Sequence, residues 1–282
     1  MQNFQYHSAR SLNEALRFLS ENGNQTKVIA GGTDLIPRLR EEDCRPGFVL
    51  NVLEIGLNGI IEENGRIRIG STTTHAQLVE SEILQRQCPA LVQAAGSIGG
   101  PLIRNRGTVG GNICNASPAA DLAPALLVLD AEAILKSEKG TRRVVLKDFF
   151  LGPGKAALEP DELLAEISIP LPQGKSRFLK LGRRKAMTLS IVNAAVSLEL
   201  EGRRCRAAKI ALGSVAPTPI RCSPAETLLA GKEIDAKLIE RCAAEAMAVS
   251  QPVDDQRAKA WYRIQAGTVL LKRALMMAAG LS

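Results

Sequence analysis

Histidine, aromatic residues and closely spaced cysteines are all scarce in this sequence of 282 residues. The two histidines, His7 and His75, are too few for a histidine-based metal site or for a choice of Ser-His-Asp triads. No Cys-x-x-Cys pair occurs among the six cysteines, so the ligand spacing typical of zinc sites and iron–sulfur clusters is missing, and we expect six free thiols. These absences predict no metal ligands and no nucleophilic side chain, so redox chemistry would require a bound cofactor.

Long apolar runs are also missing. No stretch of 18 uncharged apolar residues is present, and the first residues lack the basic patch and apolar stretch of a secretory signal. We therefore expect a cytoplasmic chain without a membrane span. The net charge of +7 coexists with interspersed acidic residues and only 3% aromatic residues, which argues against nucleic acid as a partner. The basic surface would be either solvated or turned toward an acidic partner.

The N-terminal pattern predicts a small α/β unit with parallel strands. Residues 11–22 read as a helix, with Ser11 as the cap and Glu14 completing a capping box. Residues 26–30 follow as a short buried strand, and a glycine turn then leads to a helical start at 35–40.

Later segments predict hairpins and helices. Turn signals occur at 63–65, 137–140 and 201–202, and a helix is expected from His75. Ser117 followed by Pro118 reads as a helix start, with Asp121 in the first turn. Residues 151–154 resemble a loop, and 170–174 a linker. After residue 176 an antiparallel pair precedes two helices.

Two glycine-rich segments are the candidate binding sites. The first, residues 27–35, ends a strand with Gly31-Gly32, whose backbone can approach a phosphate closely. Its spacing matches neither the Rossmann nor the P-loop pattern. The second, residues 104–121, contains Gly110-Gly111 together with hydrogen-bonding side chains. A tight turn and a capped helix would explain each segment without a ligand, but two such segments in one chain favour a dinucleotide.

These two segments carry a family resemblance. The Ala-Gly-Gly-Thr-Asp-Leu run at 30–35 and the Gly-Thr-Val-Gly-Gly-Asn-Ile…Ser-Pro-Ala-Ala-Asp pattern at 107–121 resemble the FAD-binding subunits of the molybdenum hydroxylases. The resemblance extends to residues 69–74, 151–155, 216–221 and 261–263, and it is greatest to the bacterial xanthine dehydrogenase type. It implies an α+β fold with a vanillyl-alcohol-oxidase-like (PCMH-type) FAD-binding domain at 1–175, built from two α/β subdomains at about 1–55 and 56–175. A smaller domain at 176–282, with an antiparallel sheet and a helix bundle, would follow.

The resemblance also assigns roles to single residues. Backbone amides of the first segment would wrap the FAD pyrophosphate, Asp121 would hold the ribose or adenosine end, and Lys180 would approach the isoalloxazine edge. Leu164 would touch the adenine or ring region. The implied cofactor-binding set is Lys27, Val28, Ile29, Ala30, Gly31, Gly32, Thr33, Asp34, Leu35, Ile98, Gly99, Gly107, Thr108, Gly111, Asn112, Cys114, Asp121, Leu164 and Lys180.

The implied function is electron transfer within a complex of three chains. A large subunit would carry molybdopterin, a small subunit would carry [2Fe-2S] clusters, and FAD on this chain would pass electrons to NAD+ or another acceptor. A xanthine or purine dehydrogenase is the expected enzyme, and related hydroxylases of CO, nicotinate, another heterocycle or an aldehyde are alternatives. A stand-alone flavin oxidoreductase and a non-catalytic module that has lost FAD also remain open.

Overall fold

The computed structural model describes residues 3–281, and its first unit is a three-stranded parallel sheet with two helices. The strands are parallel, as the sequence predicts, and they lie in the order β1-β3-β2. The elements are β1 (Gln5–Ser8), α1 (Leu12–Asn22), β2 (Thr26–Ile29), α2 (Leu35–Arg40) and β3 (Phe48–Asn51).

Two local predictions for this unit need correction. Ser11 does cap α1, but the Glu14 carboxylate accepts from the Arg10 N–H at 2.8 Å rather than from Ser11, so the capping box is displaced by one residue. The strand predicted to be buried is in fact exposed, with Lys27 and Val28 open to solvent. The reason is topological: β3 occupies the centre of the sheet and leaves β2 at its edge.

The second unit combines six helices with a five-stranded antiparallel sheet of order β4-β5-β10-β6-β7. Its hairpin turns at 63–65 and 137–140 and its helix from His75 are confirmed. The elements are β4 (Ile60–Glu63), β5 (Arg66–Gly70), α3 (His75–Glu80), α4 (Glu82–Gln87), α5 (Pro89–Gly96), α6 (Pro101–Arg104), α7 (Val109–Cys114), α8 (Leu122–Val128), β6 (Glu132–Ser137), β7 (Gly140–Val145), β8 (Phe150–Gly152), β9 (Lys155–Ala156) and β10 (Leu163–Pro170).

The predicted helix start at Ser117-Pro118 is wrong. The Ser117 hydroxyl accepts from the N–H of Ala119, only two residues ahead, at 3.2 Å. That contact closes a turn instead of capping a helix. Helix α8 begins at Leu122, and Asp121 occupies its N-cap position without a capping hydrogen bond. The loop expected at 151–154 is the tight turn of the small β8–β9 hairpin.

The third unit is a four-stranded antiparallel sheet with helices on one face. The antiparallel pair predicted on either side of 201–202 is confirmed, but three helices follow it instead of two, because residues 223–229 also form a short helix. The elements are β11 (Lys175–Gly182), β12 (Ser190–Glu201), β13 (Arg204–Gly213), β14 (Ile220–Arg221), α9 (Ser223–Leu229), α10 (Ala236–Ala248) and α11 (Ala260–Ala279).

This third sheet belongs to two hydrophobic cores. Phe178, Ala195 and Ala211 on one face join the core of the second unit, while the other face packs on α9–α11. The predicted domain boundary at 175/176 therefore falls between parts that share a core, and it stays a prediction. Within residues 3–281 no helix combines the length and apolar character that crossing a membrane requires.

A buried arginine joins α11 to the start of β12. Arg263 is 1% exposed, and its guanidinium donates to the carbonyls of Ile191 at 2.6 Å and Ser214 at 3.0 Å. It also contacts the Asp255 carboxylate at 2.6 Å. The guanidinium thus satisfies backbone groups of two strands and one carboxylate at once.

We predict that Arg263→Leu lowers the free energy of unfolding by about 3 kcal/mol, because it leaves buried acceptors without a donor. Arg273→Leu is the matched control, since Arg273 lies on the same helix and is exposed. That variant should stay within about 0.5 kcal/mol of wild type. Urea denaturation followed by circular dichroism measures both values, and equal stabilities of the two variants would contradict the prediction.

His75 is a second buried ionisable group. Its side chain is 3% exposed at the start of α3. Burial, reinforced by the positive charge of Arg104, lowers the pKa of His75 to about 4. The imidazole is consequently neutral in the folded protein at neutral pH.

We predict that His75 makes the fold sensitive to acid. Between pH 6.5 and about 4 the unfolded chain takes up a proton at this residue while the folded chain does not, so the free energy of unfolding falls as the pH falls. The loss attributable to His75 is on the order of 3 kcal/mol. Denaturant titrations at pH 7 and pH 4.5 should show a smaller drop for His75→Gln than for wild type; an identical drop in both would disprove the assignment.

Candidate cofactor site

A cavity of about 1000 Å³ lies where the three units meet. Its walls come from β2 and the following loop, from the segment around α7, from the start of β10 and from the third sheet. The volume lies at the upper end of the range for small-molecule sites, as a dinucleotide requires. Eighteen of the nineteen residues predicted from the resemblance line this one cavity. The exception is Gly107, which lies behind the wall and contacts the lining residue His75.

Glycine lets three backbone segments meet at the cavity floor. A Cβ atom on Gly31 would lie 1.9 Å from the carbonyl oxygen of Arg106, and one on Gly110 would lie 2.7 Å from the carbonyl oxygen of Ser71. The Val109 N–H also donates to the Thr73 carbonyl at 2.9 Å. Gly31 and Gly110 therefore serve contacts within the protein in addition to lining the cavity.

The second glycine of each pair has a different environment. Gly32 has φ +73°, a conformation that L side chains rarely adopt, and it turns the chain from β2 toward α2. Gly111 is exposed to the cavity, and beyond its own helix backbone the one atom of residues 3–281 within 4 Å of its added Cβ is the Thr108 hydroxyl oxygen at 3.1 Å. Of the four glycines, Gly111 is thus the one where an added side chain would mainly enter the cavity.

The loop after β2 offers backbone donors to the cavity. The N–H groups of Thr33, Asp34 and Leu35 donate to no protein acceptor within residues 3–281. Consecutive free N–H groups of this kind suit a phosphate oxygen. Lys27, on the exposed edge of β2, lines the cavity and adds positive charge, whereas the guanidinium of Arg38, also a lining residue, is paired with Asp43 at 2.8 Å. This side of the cavity fits a pyrophosphate.

Three buried polar atoms of cavity-lining residues lack partners within the described part of the chain. They are Thr72 Oγ1, His75 Nδ1 and Asn112 Oδ1. Unpartnered buried polar atoms are costly, and their clustering at one cavity favours a polar ligand. Asn112 belongs to the predicted set, whereas Thr72 and His75 are additional residues. The hydroxyl-rich run before α3 is the sequence signal that could have indicated them.

An ion pair crosses the wall between the second and third units. Lys180 Nζ lies 2.6 Å from Asp121 Oδ2 and 3.1 Å from the Ser97 carbonyl. The two charged side chains are 9% and 7% exposed. The two side chains are in contact, so they act at the same point of the cavity. The predicted roles instead place Asp121 at the adenosine end and Lys180 at the isoalloxazine edge, which lie far apart in an extended FAD.

The remaining predicted residues make the wall largely neutral. Leu164 is buried beside a bulge in β10, and Ile98 and Gly99 lie between α5 and α6. Desolvation raises the pKa of the Cys114 thiol to about 12, so this cysteine lines the cavity as an uncharged group. Met187 and Leu189, on the loop between β11 and β12, also line it, and no pattern in the sequence indicated them.

Comparison with known proteins agrees with this geometry. The family model described as the FAD binding domain in molybdopterin dehydrogenase matches residues 2–172. The model described as the CO dehydrogenase flavoprotein C-terminal domain matches residues 177–278. The two models together account for nearly the whole chain.

Individual relatives match over nearly their full length. The chain is 37% identical to the xanthine dehydrogenase FAD-binding subunit of Escherichia coli O157:H7, covering 96% of this chain and 94% of that protein. It is 32% identical to the carbon monoxide dehydrogenase medium chain of Hydrogenophaga pseudoflava, covering 96% of each. A chain of the reconstituted CO dehydrogenase from Oligotropha carboxidovorans superimposes with a TM-score of 0.96 at 33% identity, covering 100% of this chain and 99% of that one. The chain therefore belongs to the family of FAD-binding subunits of molybdenum hydroxylases, and FAD is its cofactor.

Proposed function

We propose that this chain is the electron-transfer subunit of a xanthine or purine dehydrogenase. Electrons would arrive from [2Fe-2S] clusters on a small partner chain, after oxidation of the substrate at molybdopterin on a large one, and would leave to NAD+ or another acceptor. The observation that supports this proposal is that nearly all predicted FAD-binding residues line one cavity. We also propose a cytoplasmic location. Bound FAD would supply the redox chemistry, and the protein would supply its position and electrostatic environment.

The cavity residues divide into two groups under this proposal. Free N–H groups of residues 33–35, with Lys27 beside them, would bind the pyrophosphate. Asn112 and Thr72 would form hydrogen bonds to polar atoms of the cofactor. Lys180 would present its ammonium to the ring system. Burial raises the pKa of the Cys114 thiol, so this group is no thiolate at neutral pH, and it lowers the pKa of the His75 imidazole, so this group is a weak base.

The xanthine assignment rests on similarity alone. The xanthine dehydrogenase subunit shares 37% identity with this chain and the carbon monoxide dehydrogenase medium chain 32%, a modest difference over the same length. Related hydroxylases of CO, nicotinate, another heterocycle or an aldehyde are the alternatives. In each, the substrate pocket would lie on a partner chain. A stand-alone flavin oxidoreductase would need a general base near the ring, and the neutral His75 is the only histidine on the cavity wall.

We predict that the tagged chain, purified from its native host, brings down two partners and contains FAD, molybdenum and iron. The complex should reduce NAD+ when supplied with xanthine. Metal analysis, flavin extraction and absorbance at 340 nm measure these properties. FAD without metals or partners would support the stand-alone enzyme, and turnover of CO or nicotinate but not xanthine would favour a related hydroxylase.

We predict that Gly111→Val weakens FAD binding at least tenfold, about 1.4 kcal/mol, because its side chain enters the cavity. The matched control is Gly96→Val. Gly96 is also an exposed helical glycine, its added Cβ would meet only Val79 at 3.8 Å, and it lies outside the cavity wall. Titration of the apo-chain with FAD, followed by flavin fluorescence, gives both affinities. Equal affinities would show that FAD does not lie against Gly111.

A further inference from the structure

The polar side chains of Ser190 and Asn193 lie behind the cavity wall and form hydrogen bonds to Asp121, which lines the cavity. We propose that Ser190 and Asn193 are positioning residues, which fix the Asp121 carboxylate and thereby hold the Lys180 ammonium at the FAD site. The inference rests on the proposed function in one respect, namely that Lys180 faces the flavin ring. The hydrogen bonds that carry it belong to the protein alone.

The Asp121 carboxylate is fully engaged by its neighbours. Oδ1 accepts from the Ser190 hydroxyl at 2.5 Å and from the Asn193 amide at 2.8 Å. Oδ2 accepts from Lys180 Nζ at 2.6 Å. Ser190 and Asn193 are both completely buried. With three donors on its two oxygens, the carboxylate has no freedom to rotate, and the position of Lys180 is set by that orientation.

The sheet register builds this arrangement. Lys180 on β11 and Gly213 on β13 both lie directly opposite Asn193 on β12. A Cβ atom on Gly213 would be 2.2 Å from Asn193 Oδ1, so glycine is required there to admit the amide. The Asn193 amide is thereby directed toward Asp121, at the beginning of α8.

Two arginines form hydrogen bonds to backbone carbonyls at the start of β12. Arg257 donates to the Ser190 carbonyl at 3.3 Å, and Arg263 donates to the Ile191 carbonyl at 2.6 Å. Both guanidinium groups contact the carboxylate of Asp255. These contacts fix the strand segment that carries Ser190 independently of the hydrogen bond from its hydroxyl to Asp121.

The ammonium of Lys180 has one donor left for the cofactor. It has three N–H groups, of which Asp121 and the Ser97 carbonyl take two. A cation fixed beside the ring favours the negative charge that the ring gains on reduction. If Oδ1 of Asp121 lost its two donors, the carboxylate could turn toward the cavity, and its charge would oppose reduction.

The decisive measurement is the flavin midpoint potential of the FAD-loaded chain. In Ser190→Ala and Asn193→Leu we expect reduced FAD to bind about tenfold less tightly relative to oxidised FAD, which lowers the potential by about 30 mV for a two-electron couple. Ser197→Ala is the matched control, because Ser197 is a buried serine on the same strand without a hydrogen bond to Asp121. Its potential should equal that of wild type. Equal potentials in all four proteins would overturn the inference.

A second readout needs no flavin. Acetic anhydride modifies the free amine of lysine, so an ammonium held in a buried ion pair reacts slowly. Mass spectrometry of the apo-chain should show at least tenfold faster modification of Lys180 in Ser190→Ala and Asn193→Leu than in wild type or Ser197→Ala. An unchanged rate in both variants would refute the positioning role. Failure of wild type to bind FAD would instead refute the proposed function, so the two failures are distinguishable.

Discussion

The close approach of backbone to backbone at two glycines shapes the candidate FAD site. Gly31 packs against the carbonyl of Arg106, and Gly110 packs against the carbonyl of Ser71, at distances that leave no room for a Cβ. These contacts join the first α/β unit, the hydroxyl-rich run before α3 and the segment around α7. Because the floor of the cavity is made where these segments meet, its shape depends on the absence of two side chains.

A buried ion pair joins two units of the chain at another wall of the cavity. Asp121 belongs to the second unit, whereas Lys180, Ser190 and Asn193 belong to the third sheet. The ion pair and its hydrogen bonds therefore join two sequence-distant parts of the chain at the cofactor cavity. Such a buried pair is costly to desolvate, and full hydrogen bonding offsets the cost. The site is thus assembled across the chain and is not contained in the N-terminal part alone.

Much of the local structure could be predicted because its causes are local. The Asn64-Gly65 turn and the start of α3 at His75 depend on a few neighbouring residues, and both occur where expected. Ser117 was misinterpreted because a serine can close a turn as well as cap a helix, and only the surrounding chain selects between them. The exposure of β2 could not be predicted from its sequence either. The same apolar residues can form a strand in the centre of a sheet or one at the edge of a cavity.

The sequence by itself determined the family and the cofactor, because its glycine motifs are specific in type and spacing, and all but one of the residues predicted to bind the cofactor line one cavity. Only the tertiary structure decided which of those residues contact one another and which face the cavity. It showed that Gly31 and Gly110 accommodate neighbouring backbone while Gly111 faces the cavity. It also added Thr72 and His75 to the wall and brought Asp121 against Lys180, 59 residues away in the chain. The physical reason is that burial, close packing and ion pairing depend on distances in space, which residue order does not encode directly.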